Sequence, residues 1–127
     1  MSMHRILLRE VVIDAPTEIF AAERDFWAAA LLTQARQVER YPEFTALVDP
    51  ASLSVVGLQD IGTDGARFHV DLETDNVEAE VARLVRLGAE KVSDGKTWTV
   101  LRDPAGLLVC VVPAESPDFA ERSREVY

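Results

Sequence analysis

Fourteen residues of this chain occur twice. Residues 44–57 read FTALVDPASLSVVG and residues 98–111 read WTVLRDPAGLLVCV, at a constant offset of 54. Seven positions are identical: Thr45/Thr99, Leu47/Leu101, Asp49/Asp103, Pro50/Pro104, Ala51/Ala105, Leu53/Leu107 and Val55/Val109. Self-similarity at a fixed spacing points to a fold assembled from duplicated units. Two copies in 127 residues point to a paired domain rather than a solenoid. The repeat also indicates which residues hold equivalent places in the two halves.

The bulk composition narrows the class. Hydrophobic residues make up 48%, enough for one packed core in a single domain, residues 1–127. A net charge of −9 repels phosphate backbones, so nucleic acid is not an expected partner. Cys110 is the one cysteine, which leaves no intrachain disulfide and suits a reducing compartment. The N-terminal MSMHRILLRE is too charged for a signal peptide, and no stretch approaches the ~20 apolar residues that span a bilayer. A cytoplasmic protein without membrane contact is expected.

Periodicity supplies the elements. Residues 5–13 read as a strand, broken by Asp14-Ala15-Pro16. Thr17 then caps a helix that fades near Thr33. Residues 36–40, 44–48 and 53–58 read as strands, and the polar segment 59–66 is the best internal boundary. Residues 67–73 alternate strictly, with His69, Asp71 and Glu73 on one side and Phe68, Val70 and Leu72 on the side that packs on helices. Asn76 caps a helix over 77–87, with Gly88 after its end. Strands follow at 90–93, 97–102 and 107–112, with an Asp94-Gly95 hairpin turn. Both halves therefore read β-α-β-β-β, as modules 5–58 and 67–112. The tail, 113–127, is one helical turn or frays.

Two such modules resemble the vicinal oxygen chelate superfamily of glyoxalase I, extradiol dioxygenases and bleomycin-resistance proteins. HVDLETDNVEAEVARLVRLGAEKV (69–92) with WTVLRDPAGLLVCVV (98–112) is similar to the C-terminal module of glyoxalase-like domains. VVIDAPTEIFAAERDFWAAALL (11–32) resembles their opening strand and helix. The resemblance implies an α+β fold: a half-open mixed-sheet barrel whose two βαβββ modules surround a cavity. It also implies four inward positions, on the first and last strand of each module, that hold a metal in the family's metal enzymes. Those positions match His69 and Cys110 in the second module, and Glu10 and Val56 in the first, Val56 by the 54-residue offset. Val56 carries no donor and Cys110 is a soft ligand beside a hard carboxylate. The set is degenerate, so no metal cofactor is expected.

Several side chains carry candidate chemistry. His69 is a candidate general base with Glu10 as partner, or a solvated histidine left from a metal site. Glu10 is an acid–base group, or the ion-pair partner of Arg9, Arg67 or Arg102. Asp71, Glu73, Val56, Trp98 and Cys110 are candidate ligand contacts. Trp98 is matched to Phe44 by the repeat, and this pair either stacks on a flat ligand or belongs to the core. Cys110 in its apolar strand reads more readily as inert than as reactive. His4 has no assigned role, and Glu78, Glu80 and Glu90 read as solvated positions on or near the second helix.

Two functional readings follow. One is a metal-free binder of a small organic molecule in the inter-module cavity, like the drug-sequestering members of the superfamily. The other is a lyase, isomerase or hydrolase acting on a small carbonyl compound through Glu10 and His69. A homodimer is expected, because superfamily members commonly pair and a short chain with an open sheet edge gains from pairing.

Overall fold

The computed structural model describes residues 3–30, 33–48, 56–63 and 65–127, except that the Val56 side chain is not included. The chain forms two compact units, one of Met1–Arg9 with Val70–Tyr127 and one of Glu10–His69.

In the Glu10–His69 unit, strand β1 (His4–Ala15) contributes its second half. A 3-10 turn at Thr17–Ile19 leads into α1 (Phe20–Ala30), followed by β2 (Gln34–Gln37), β3 (Phe44–Val48) and β4 (Val56–Asp60). The strand order is β2–β3–β4–β1, antiparallel except for the parallel β4–β1 pair. Ile13, Leu47 and Leu58 form the core, with Phe20, Trp27 and Ala28 of α1 and Ala35 of β2 packed on it.

The other unit repeats this plan. β5 (Arg67–Thr74) is followed by α2 (Val77–Arg86), β6 (Glu90–Asp94), β7 (Thr99–Arg102) and β8 (Leu108–Pro113). The order β5–β8–β7–β6 again has its first and last strands parallel and the rest antiparallel. Asn76 caps α2 as its sequence demands, its side chain accepting from the Ala79 N–H at 3.0 Å. Gly88, past the helix end, has φ of +117°, a conformation that favours glycine. The mixed sheet, the two helix-linked repeats and the few helices make an α+β fold.

Three expectations change, and the tail gains a strand after its expected helical turn. The strand does not break at Asp14: β1 runs through Ala15 because the parallel pairing with β4 carries on to Asp14↔Gln59 and Ala15↔Asp60. Thr17 does not cap a helix; its hydroxyl donates to the Asp60 carboxylate while a 3-10 turn opens the segment. Phe68 is 59% exposed, so the apolar side of β5 is packed only from Val70 onward. The tail forms one helical turn, α3 (Phe119–Arg122), and then β9 (Arg124–Val126), which pairs antiparallel with His4–Ile6. The Asp49-Pro50 turn lies outside the described residues.

The register also refines the repeat. Val11 pairs with Val56, and Val70 with Val109, so β1 and β5 match at an offset of 59. Glu10 thus matches His69, as the opening strands indicate. Leu47 faces Val56 whereas Leu101 faces Val109, so the first hairpin is one residue longer between paired positions than the second. The offset of 54 holds for β3 and β7 but becomes 53 for β4 and β8. The first-module equivalent of Cys110 is therefore Gly57, not Val56.

Candidate functional site

Within the Glu10–His69 unit, β1 alternates. Ile13 enters the core beneath α1, which places Glu10, Val12 and Asp14 on the other face. The Glu10 carboxylate lies over β4 at Gly57, where a Cβ would come within 2.8 Å of its Oε2. The missing side chain of Gly57 is the space that Glu10 occupies.

His69 is buried, with 6% of its surface exposed. Its Nδ1 lies 2.8 Å from Oδ2 of Asp14, which is itself 1% exposed. The Arg67 Nε–H donates to the same Oδ2 at 3.2 Å. Asp14 Oδ1 is buried and has no hydrogen-bond partner among the described residues. Asp14 was not among the sequence candidates, because Asp14-Ala15-Pro16 reads as a turn. The signal was present in the period of two: Glu10, Val12 and Asp14 share one face.

The three arginines considered beside Glu10 have these contacts among the described residues. Arg67 meets Asp14, Arg9 meets Glu73 and Glu115 at 3.0 and 3.1 Å, and Arg102 donates to the Gly106 carbonyl at 3.0 Å.

The remaining candidates fall in the other unit. Glu73 is fully buried, and both of its carboxylate oxygens are engaged. Oε2 takes Arg9 and the Ser116 hydroxyl at 2.9 Å, and Oε1 takes the Ser116 N–H at 3.2 Å. Those bonds tie the tail to β5 and leave Glu73 little capacity for a ligand. Asp71 is half-buried and sits opposite Cys110, also half-buried, across β5 and β8. Trp98 is half-buried, with its ring against the backbone of Gly95, where any Cβ would collide with it. Its repeat partner Phe44 packs edge-on against Tyr41 at 6.2 Å. Val56 pairs through its backbone with Val11 and Leu47.

Glu80 overturns its sequence assignment, and its partner is His4. Glu80 is completely buried rather than solvated. It accepts from Arg83 through both oxygens, at 2.8 and 3.0 Å, and meets His4 Nε2 at 2.7 Å. The hydrogen bond that Arg83 donates to Glu80 raises the Arg83 pKa above its usual value, against the opposing effect of burial. The helical face reads polar at position 80 because His4, which meets Glu80 there, lies 76 residues away.

The four positions that the resemblance gives to a metal hold Glu10, Gly57, His69 and Cys110 once the register is used. Gly57 has no donor, and Glu10 and His69 are the two donors of the usual kind. His69 has its Nδ1 on Asp14. With Gly57 among them, at most three of the four family positions carry a donor: a carboxylate, an imidazole and a thiol.

The glyoxalase-like domain family model matches residues 10–112. No curated protein matches the chain significantly. Among solved structures, the Mn(II)-bound glyoxalase from Novosphingobium aromaticivorans is 20% identical with a TM-score of 0.57; the match covers 84% of this chain and 38% of that one. A variant methylmalonyl-CoA epimerase from Streptomyces coelicolor, in complex with 2-nitronate-propionyl-CoA, is 16% identical with a TM-score of 0.56, covering 86% and 97%. The 2,2',3-trihydroxybiphenyl 1,2-dioxygenase from Sphingomonas wittichii is 9% identical with a TM-score of 0.57, covering 86% and 40%. The chain thus spans well under half of the glyoxalase and the dioxygenase. Among the described residues, no helix is long and apolar enough to cross a membrane. With the family model covering most of its length, the chain belongs to the glyoxalase-like domain family of the vicinal oxygen chelate superfamily.

Proposed function

We propose that this protein binds a small organic carbonyl compound and that His69 exchanges a proton with it, Glu10 being the second acid–base group. The observation that carries this reading is a buried imidazole held by a buried carboxylate, at the β5 position that matches Glu10 on β1. An imidazole so held is suited to general acid–base work. The fold relatives lend support, since one is an epimerase bound to a coenzyme A ester, and epimerisation moves a proton at carbon. No step requires a metal.

The test is solvent exchange. The protein is incubated in deuterium oxide with a panel of 2-oxo acids and α-substituted acyl thioesters. Deuterium is expected to enter at the carbon beside the carbonyl of a bound compound. The rate should fall about 10²-fold or more in His69→Ala and Glu10→Gln, and survive a chelator. Binding without exchange would replace this reading by the sequestering one. A near-stoichiometric divalent ion lost in His69→Ala, with exchange abolished by chelation, would replace it by a metal-dependent one.

We also infer a homodimer in solution. β6 is the outer strand of its unit and is exposed along its whole length, an edge that pairing would cover. Sedimentation at micromolar concentration giving the monomer mass alone would remove this inference.

A further inference from the structure

We propose that Asp14 is a positioning residue for His69: it fixes the ring as the Nδ1–H tautomer and so makes Nε2 the nitrogen that takes or gives the proton. The inference rests on the reading of His69 given above.

The argument starts from hydrogen-bond capacity. A carboxylate only accepts, so at 2.8 Å from Oδ2 the Nδ1 of His69 must be the donor. A neutral imidazole has one N–H. With that hydrogen on Nδ1, the lone pair is on Nε2. The partner is rigid, because Asp14 lies within β1 and its backbone pairs with Gln59 of β4. Its side chain is almost fully buried, so water does not compete for Oδ2.

The electrostatics point the same way. When Nε2 takes a proton, the imidazolium that forms already faces a carboxylate across a short hydrogen bond. That charge is met in place, without rearrangement. Asp14 Oδ1, buried and without a hydrogen-bond partner among the described residues, is a cost that stability alone does not explain. A carboxylate placed only to brace the strands would be expected to have both oxygens satisfied.

The test reads the ring directly and needs no ligand. The chain holds two histidines, His4 and His69, so the ring nitrogen spectrum of the labelled protein is simple. Signals absent from His69→Gln belong to His69. At alkaline pH, where the ring is neutral, wild-type His69 is expected to show a protonated Nδ1 and an unprotonated Nε2. Asp14→Leu keeps the bulk but offers no acceptor, and should lose the exclusive Nδ1–H signal in favour of Nε2–H or a mixture. A brace without influence on the tautomer would leave that signal in place.

Two results would overturn the proposal: wild-type His69 in the Nε2–H form, or Asp14→Leu retaining the Nδ1–H form in full. If Asp14→Leu does not fold, Arg67→Gln decides beside the wild type. It leaves Asp14 in place, so the Nδ1–H form must persist, and its loss would assign the control to Arg67 instead. Absent deuterium exchange in a protein whose His69 keeps the Nδ1–H form would defeat the functional reading alone. The wrong tautomer defeats this inference whatever the exchange assay reads.

Discussion

Asp14 and Glu73 hold the same place in the two halves of the molecule, 59 residues apart on β1 and β5, and both are buried carboxylates beside an arginine. Their surroundings differ. Glu73 has donors on both oxygens: Arg9, the Ser116 hydroxyl and the Ser116 N–H. Asp14 has both of its donors, His69 and Arg67, on one oxygen and none on the other. One carboxylate is saturated and ties the tail to the sheet. The other is half-satisfied and orients a histidine. Duplication supplied two equivalent positions, and what surrounds each position separated a structural role from a chemical one. Buried polar groups that are fully paired stabilise a fold, whereas those left partly paired mark places kept for another reason.

The contrast can be broken by stability measurements. Glu73→Ala should have the largest effect, about 3 kcal/mol lost, because it strips three donors of their buried acceptor. It should appear as a lower denaturant midpoint at unchanged slope. Asp14→Ala should cost less, about 1 kcal/mol, since it also removes a buried acceptor that has no donor. Equal losses would mean that the two carboxylates are equally structural.

Gly57→Ala sharpens the comparison from the other side, because Gly57 is the match of Cys110. Its stability should stay within about 1 kcal/mol of wild type, as a strand alanine gains what the crowding costs. The added Cβ would meet the Glu10 carboxylate at 2.8 Å, the movable end of a side chain. Deuterium exchange should therefore fall while the fold persists. Unchanged exchange would show that the placement of Glu10 over Gly57 is incidental.

The smallest effect concerns Asp94, at the β6–β7 hairpin. Hydrogen bonds from Lys91, and then from Thr99, hold its carboxyl below the usual carboxylate range. A lowered folded pKa contributes stability above the unfolded value, and that contribution is lost as pH falls through the lowered one. The stability difference between wild type and Asp94→Asn should thus be small at neutral pH and vanish in strong acid. A difference that grows on acidification would reverse the sign.

Much of the architecture is a local property of the chain and was readable there. The strand at Phe44–Val48, the Asn76 cap, the Gly88 stop and the β-α-β-β-β order all follow from side-chain period and from turn and cap chemistry. The match of Glu10 with His69 was readable as well, because both opening strands carry the same alternation. Tertiary structure decided the register and the partners. One extra residue in the first hairpin moved the equivalent of Cys110 from Val56 to Gly57, and an ungapped repeat cannot show such a slip. Asp14 became a strand residue because pairing with β4 outweighed the turn signal before Pro16. Glu80 became a core residue because His4, 76 positions earlier, came to meet it. A sequence states which side chains are able to pair. Which of them do is set by contacts between residues tens of positions apart, where one residue of loop length reassigns every neighbour.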